Sequence, residues 1–550
     1  MKVNFLTKLA ACVGLSAVTV SGLVTLPAYA DPASPSATAL VGVGSDTTMD
    51  VMDEIATAIG GGKLASYKST GSQTIQTRPG GPSNVLRAKG SGDGWKMLQV
   101  AEGSSTSITT VATMAASGQT ADKANTVGQI DYSRASSMQG TASPTGEYVD
   151  IPFAIDSVAI AVNPTDAVAK IPLTGLGTTA DGSGVASIDA IFRCQAKFVY
   201  LNNVSVGSAA ATNGSSTITL NAHGLVAGDT FTIASDAAGF TAGTQYYVKT
   251  VPTVNTFTVQ AQKAGSTITA SSDGTLVITK TSGSFNSVGA TSGAAPANTT
   301  PYEIHPVLPA YGSGTASYFI GKIGRTEGSG FPAAGDSGQN CISRKMADGT
   351  TAIQEHDGSA VAETENAIGI YSIGQWTSQV NSAVTGATDK THGTVLLNLY
   401  PSGASMIPAT TGEGTSIAPN ENWTSDLKRV VYNIVAYRKA IDPTSAIHEM
   451  FVGTNSLVCQ QTASIRKMGF TPLSSTDPAN VNSCGSIAAG NRRTAGGDGT
   501  SVTGSSISNL SSTDGVIGQA VTARVKVGTS NHQMGGTVVV TTNPVYGAEG

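Results

Sequence analysis

Three short loops of glycine, serine and threonine, each running into a segment that can be helical, constrain this chain more than any other feature. The most prominent is Tyr311-Gly312-Ser313-Gly314-Thr315-Ala316-Ser317-Tyr318-Phe319, in which a largely apolar stretch begins at Tyr318 and continues to Ile323. Glycine lets the backbone come close to a partner. A helix start supplies unpaired N–H groups and the positive end of a dipole. The second loop, Gly44-Ser45-Asp46-Thr47-Thr48, lies between a short buried-type strand, Ala39-Leu-Val-Gly-Val43, and an amphipathic helix from Met49 to Ile59. The third, Lys89-Gly90-Ser91-Gly92-Asp93-Gly94, precedes a helical stretch from Trp95 to Val100. One such loop reads equally well as a turn or an N-cap. Three of the same kind in one chain point to backbone and hydroxyl donors gathered for an anion.

With 550 residues the chain holds several domains of ordinary size. Its net charge of −5 gives no electrostatic footprint for nucleic acid. Residues 1–30 read as a secretory signal peptide. Lys2 and Lys8 form the positive region, Leu9 to Leu26 is apolar, and Ala28-Tyr29-Ala30 is a cleavage site before Asp31. Leu9-Ala10-Ala11-Cys12 matches a lipobox, but Cys12 precedes the apolar run, which argues against a lipid anchor. No other stretch is long and apolar enough to span a membrane. Cleavage leaves Cys194, Cys341, Cys459 and Cys484, an even set in an exported chain. Of the three connectivities, closeness in sequence favours Cys459–Cys484, with Cys194–Cys341 as the remainder. There is no C-x-x-C pair for zinc or redox chemistry, so neither a metal nor a cofactor is expected.

Along the chain, Gly128 to Ser137 reads as a strand end running into polar residues. Arg134 stands there as a charged fork for an oxyanion or a surface ion pair. Arg87 is a second such candidate. Tyr148 to Asn163 is too apolar for a loop and reads as a strand pair or a crossing strand, and Ser187 to Arg193 as a short helix. From about Asn203 to Ser292 the texture changes to short runs alternating at period two, including Asp229 to Ile233 and Gly274 to Thr279, a small all-β module. His223 to Asp229 and Ala242 to Val248 resemble a module common in phage tail and surface proteins. Beyond Thr300 the α/β texture returns. Glu355-His356-Asp357 invites a metal or acid–base reading, but consecutive side chains diverge in strand or helix. Ala367 to Trp376 reads as a strand then a helix start. Leu427 to Ala440 shows helical spacing, with Leu427, Val430, Val431, Ile434 and Val435 on one face. Residues 486–503 look like a linker, and 504–550 resemble part of a bacterial immunoglobulin-like repeat.

Several ordered segments resemble the phosphate-binding protein of bacterial phosphate ABC transporters, in particular the actinobacterial secreted versions. They are Val43 to Thr48, Gly90 to Gly94, Ile130 to Ser136, Ile151 to Val158, Leu308 to Thr315, Glu355 to Gly358, Ala367 to Trp376 and Lys428 to Asn433. They cover about residues 39–203 and 297–485. The resemblance implies an α/β, two-lobed periplasmic-binding (type II) fold that closes on inorganic phosphate by hinge motion and delivers it to a membrane permease. Residues 31–155 and 371–485 would form one lobe, 156–203 and 297–370 the other, and 204–296 an inserted module. The first lobe would supply Ser45, Asp46, Thr47, Ser91, Gly92, Arg134 and Ser136, and the second Ser313, Gly314 and Thr315. Asp46 is a candidate for the acid that accepts a proton from a monohydrogen anion. The chain departs from its relatives where many carry an arginine beside the Gly-Ser-Gly-Thr loop, since Pro309 and Ala316 stand there. It also has Ala135-Ser136 in place of two serines. The expected protein is therefore secreted and non-enzymatic, without G-x-S-x-G or H-E-x-x-H. The alternative is an extracellular adhesion or structural protein that reuses the fold without transport.

Overall fold

The structure, a computed structural model, describes residues 31–32, 37–103, 111–114, 119–177, 187–290, 292–310, 313–325, 341–401, 405–473, 477 and 480–494. The expected signal peptide, the tail over 504–550, the far part of the linker and the pair Tyr311-Gly312 lie outside these residues.

The protein is mixed α/β, built on a large mixed sheet. The elements that position the candidate site are β1 (Leu40–Gly44), α1 (Met49–Ile59), β2 (Leu64–Ser66), α2 (Ser91–Glu102), β3 (Tyr132–Ala135), β4 (Tyr148–Val162), β5 (His305–Pro306), α3 (Gly314–Lys322), β6 (Ala367–Ser372), α4 (Ile373–Val380) and β7 (Lys428–Ala436). Across the sheet they run in the order β5, β6, β4, β7, β3, β1, β2. β1 lies parallel to both β2 and β3, whereas β7 is antiparallel to β3 and β4.

The expected apolar stretch from Tyr148 is one continuous strand of fifteen residues. Its first part, Tyr148–Ser157, pairs with β7, and its last part, Val158–Val162, pairs with β6. Two hydrophobic cores form along it. Val149, Ile151 and Phe153 pack with Val51, Ile55, Val431 and Phe451. Val158, Ile160 and Val162 pack with Ile191, Phe319, Ile320 and Ile370. A strand covered on both faces needs a near-continuous apolar run, which explains the missing alternation.

The helix expected over Leu427 to Ala440 is a strand for most of its length. Lys428–Ala436 pairs with β3 on one side and β4 on the other, and only Tyr437–Ala440 is helical. Val430, Val431, Ile434 and Val435 are β-branched, and burial on both faces removed the period-two signature that would have marked them as a strand. The stretch expected as a linker, 486–503, is described as far as residue 494. Arg492–Thr494 adds a strand beside Tyr148–Val149 and Thr141–Ala142, and Arg493 pairs with Asp150 at 2.7 Å.

The β-rich texture becomes a closed barrel of six strands between Val204 and Lys280. Its core contains Phe231, Val248, Phe257, Leu276 and Ile278. The strand leading in, Phe198–Asn202, pairs with Phe285–Gly289, where the chain leaves the barrel, so entry and exit are adjacent. Cys194 bonds to Cys341 and Cys459 to Cys484, with Cα separations of 5.8 and 5.9 Å. No helix among the described residues is long and apolar enough to cross a membrane.

Candidate functional site

The loop after β1, the start of α3 and the chain before Gly358 meet around one hydroxyl. Thr47 Oγ1 lies 3.3 Å from Thr315 Oγ1, donates to Glu355 Oε1 at 3.0 Å and stands 3.1 Å from His356 Nε2. The Thr315 backbone N–H, in the first turn of α3, donates to the same Glu355 oxygen at 3.1 Å. Arg429, on β7, donates through Nη2 to Thr315 Oγ1 at 2.6 Å and to Thr47 Oγ1 at 3.3 Å. The same guanidinium holds Asp156 of β4 through Nε at 3.1 Å and Nη2 at 2.8 Å. The second Asp156 oxygen accepts from the Ser372 hydroxyl at 2.6 Å. Gln375 of α4 donates to the Thr47 carbonyl at 2.7 Å. Beside this cluster lies a cavity of about 430 Å³, walled by Asp46, Ser69, Ser313, Glu355, His356 and Gln375 among others.

A second contact joins the other two loops. The Ser91 hydroxyl, at the start of α2, accepts from the Ser136 N–H at 3.0 Å and faces the Ser136 hydroxyl at 3.2 Å. Gly314 approaches so closely that a Cβ there would stand 2.1 Å from Ser136 Oγ and 3.4 Å from Ser91 Oγ. Only glycine permits that approach without a shift. Ser313 caps α3, its hydroxyl accepting from the Ala316 N–H at 3.1 Å. Around Gly92 the space where a Cβ would stand is open.

The remaining expected residues have other partners. Arg134 is fully buried and turned toward the strand ends. It donates to the Ser66 hydroxyl at 2.9 Å and to the carbonyls of Gly42, Gly44 and Ser45. These partners tie β1, β2 and β3 together and leave the cavity wall to other groups. Arg87 pairs with Asp31. The Ser45 N–H donates to the Arg134 carbonyl at 3.0 Å, and Asp46 accepts from Ser69 Oγ at 2.5 Å.

Glu355, His356, Arg429, Asp156 and Gln375 were not among the expected site residues. Asp156 is an acid inside an apolar strand, a placement that needs a partner. Arg429 was hidden by the helical period assigned to its segment. His356 has φ 56°, a left-handed backbone that breaks the rule that neighbouring side chains diverge. Its carbonyl is held by the Tyr371 hydroxyl at 2.7 Å and the Gln379 amide at 3.0 Å.

The charges in the site shape one another. Burial by itself raises the Glu355 carboxyl, but His356 beside it, Thr315 and Arg429 outweigh burial and hold it well below the usual carboxylate range. Burial likewise lowers the His356 imidazole, and Glu355, with Asp46 and Asp156 behind it, overrides that and raises it. Burial is the largest influence on Asp46 and pushes its carboxyl up, opposed by His356 and the Ser69 hydroxyl. The result is a buried, hydroxyl-rich junction in which Arg429 is paired with Asp156 and His356 with Glu355. No group of three or more His, Cys, Asp or Glu among the described residues is placed to hold a metal ion.

No protein-family model matches the sequence, and no curated protein matches it. Among solved structures the chain is similar to an ABC-type phosphate transport receptor from Vibrio cholerae, at 12% identity over 78% of this chain and 99% of that one, with a TM-score of 0.33. It is similar to a possible phosphate binding protein from Planctomyces limnophilus, at 12% identity over 80% of this chain and 93% of that one, with a TM-score of 0.28. An endosialidase of phage phi92 matches over 20% of this chain and 16% of its own, at 23% identity and a TM-score of 0.11. Superpositions this loose do not define a ligand, and the functional reading rests on the site's own side chains.

Proposed function

We propose that this chain is an exported, non-enzymatic binding protein that captures inorganic phosphate, or a similar oxyanion, between two lobes by hinge closure and hands it to the permease of an ABC transporter. The observation that carries this reading is the meeting of the Thr47 and Thr315 hydroxyls beside the buried Arg429 guanidinium, with the Thr47 hydroxyl and the Thr315 N–H both turned to one oxygen of Glu355. A dehydrated oxyanion needs convergent neutral donors and a charge that does not have to be imported with it. Arg429 reaches the start of α3 from β7 and supplies a guanidinium there, where Pro309 and Ala316 flank the Gly-Ser-Gly-Thr loop. The proposed division is 31–155 with 371–485 against 156–203 with 297–370; two hydrophobic cores strung along β4 support two lobes, although Ile373, Leu397, Leu399, Trp423 and Leu427 pack in the core of the second. Two disulfides agree with export to an oxidising compartment.

Ser45, Asp46, Thr47, Ser91, Gly92, Ser136, Ser313, Gly314 and Thr315 remain the proposed ligand set, now with Arg429, while Arg134 holds the strand ends that carry the first loop. Calorimetry of phosphate against protein unfolded and refolded to strip bound anion, with sulfate and arsenate as controls, tests the reading. Phosphate-selective binding lost in Thr47→Ala is the expected result; absence of binding in stripped, folded protein overturns it. The closed barrel over Val204–Lys280, which contributes nothing to the cavity wall, favours a second reading. In that reading the chain is a surface protein that reuses the fold without transport.

A further inference from the structure

We infer that Glu355 is the resident anion of this site: its carboxylate occupies the donors that the loops would offer to a free oxyanion, and an external ligand enters by displacing it. The inference rests on the oxyanion-binding reading above and names the residue that sets its affinity.

A single oxygen, Glu355 Oε1, accepts from the Thr47 hydroxyl at 3.0 Å and the Thr315 N–H at 3.1 Å, and lies 3.1 Å from His356 Nε2. Thr47 follows β1 and Thr315 opens α3, so the carboxylate bridges the same two loops that an external anion would bridge. α3 has nine residues, and its first-turn N–H groups carry the positive end of its dipole. The Glu355 side chain is 11% exposed, and its residue lines the cavity, so open space lies beside it.

Charge balance supports the same assignment. Arg429 is paired with Asp156, and His356 with Glu355. Within these two pairs the charges cancel while Glu355 is in place, and neither pair offers a dianion surplus positive charge. With Glu355 displaced, His356 and the loop donors face the incoming anion. Arg429 Nη1 and His356 Nδ1 are buried without a hydrogen-bond partner among the described residues. Buried polar groups are almost always partnered. His356 Nδ1 points away from Nε2 across the ring, so of the two only Arg429 Nη1, on the guanidinium that reaches Thr47 and Thr315, is a candidate donor for an anion in the Glu355 position.

The test uses Glu355→Gly and Glu355→Gln in the full chain, stripped of anion by unfolding and refolding, with a cooperative melt as the check on folding. Phosphate and formate are titrated separately by calorimetry. Both variants are expected to bind phosphate at least ~10-fold more tightly than the parent, the gain that 1.4 kcal/mol of removed competition gives. Glu355→Gly is also expected to take up formate, which restores the missing carboxylate, while the parent does not. Phosphate affinity that is equal in the parent and both variants, or weaker in the variants, overturns the inference and leaves the phosphate reading standing. Formate uptake by Glu355→Gly with no phosphate binding by any protein supports the resident anion and removes the phosphate reading. No binding of either anion by any folded protein overturns both. If Glu355→Gly does not fold, the isosteric Glu355→Gln decides the phosphate arm.

Discussion

Thr47 and Thr315 are 268 residues apart in the chain, and their hydroxyl oxygens are 3.3 Å apart in the fold. The Arg429 guanidinium contacts both and is itself fixed by Asp156. Four stretches of chain thus share one polar junction whose members are all buried. Such a junction is costly to break in part, because each lost partner strands a desolvated group.

Arg429→Met should therefore destabilise the protein by about 3–5 kcal/mol, since it leaves the Asp156 carboxylate buried and unpaired. Asp156→Leu added to it should recover a large part of that loss. Denaturant unfolding of the single and double variants checks the order. Equal stability of Arg429→Met and the parent would show that the pair does not hold the junction together.

Gly314→Ala places a Cβ within 2.1 Å of Ser136 Oγ, so the loops must part. The expected cost is about 1–3 kcal/mol, with phosphate binding lost. Gly92→Ala is the contrasting change. Open space surrounds that position inside α2, so the expected outcome is neutral or stabilising by up to ~1 kcal/mol. Thermal melts and calorimetry of the two variants side by side read the difference.

Asp53 predicts a pH dependence with a definite sign. Burial, only partly offset by Arg134, pushes its carboxyl up from 3.8 to about 8. A raised folded-state value means that the fold holds a proton the unfolded chain has released. The stabilisation is full below pH 3.8 and is lost as pH rises through about 8. One such proton contributes a slope of at most about 1.4 kcal/mol per pH unit. Asp53→Asn should flatten the fall in stability across that window, measured by urea unfolding at successive pH values. An unchanged slope would assign the pH dependence to other groups.

His356 supplies a spectroscopic check on the junction. Glu355 is the largest influence raising its imidazole above 6.5. Its share of stability is present below 6.5 and lost as pH rises through the raised value. Glu355→Gln should move the His356 titration downward, followed by NMR of the ring. A titration that stays in place would show that the two side chains are apart in solution.

The two disulfides should differ in weight. Cys459–Cys484 closes 25 residues and Cys194–Cys341 closes 147. Loop-closure entropy gives about 3.5 and about 5 kcal/mol respectively. Paired Cys→Ala variants measured by denaturant unfolding test the ranking. A larger loss for the Cys459–Cys484 pair would reverse it.

The sequence by itself determined what local chemistry controls. The helix from Met49 to Ile59 was legible from its apolar period, and the barrel strands from alternation between turn residues. The three Gly-Ser-Thr loops were legible because glycine, small hydroxyls and a following helix are all neighbours in the chain. The tertiary structure decided which charged groups meet those loops. Arg429 belongs to the site because β7 is clamped between β3 and β4, a pairing that overrode the helical period of its own segment. His356 and Glu355 point the same way because the backbone turns left-handed at His356. Arg134 lies at the strand ends, where it donates to Ser66 of β2 and to carbonyls of the chain around β1. Spacing reports the period of a segment, whereas the partner that satisfies a buried charge arrives from a distant part of the chain and is fixed only when the sheet assembles.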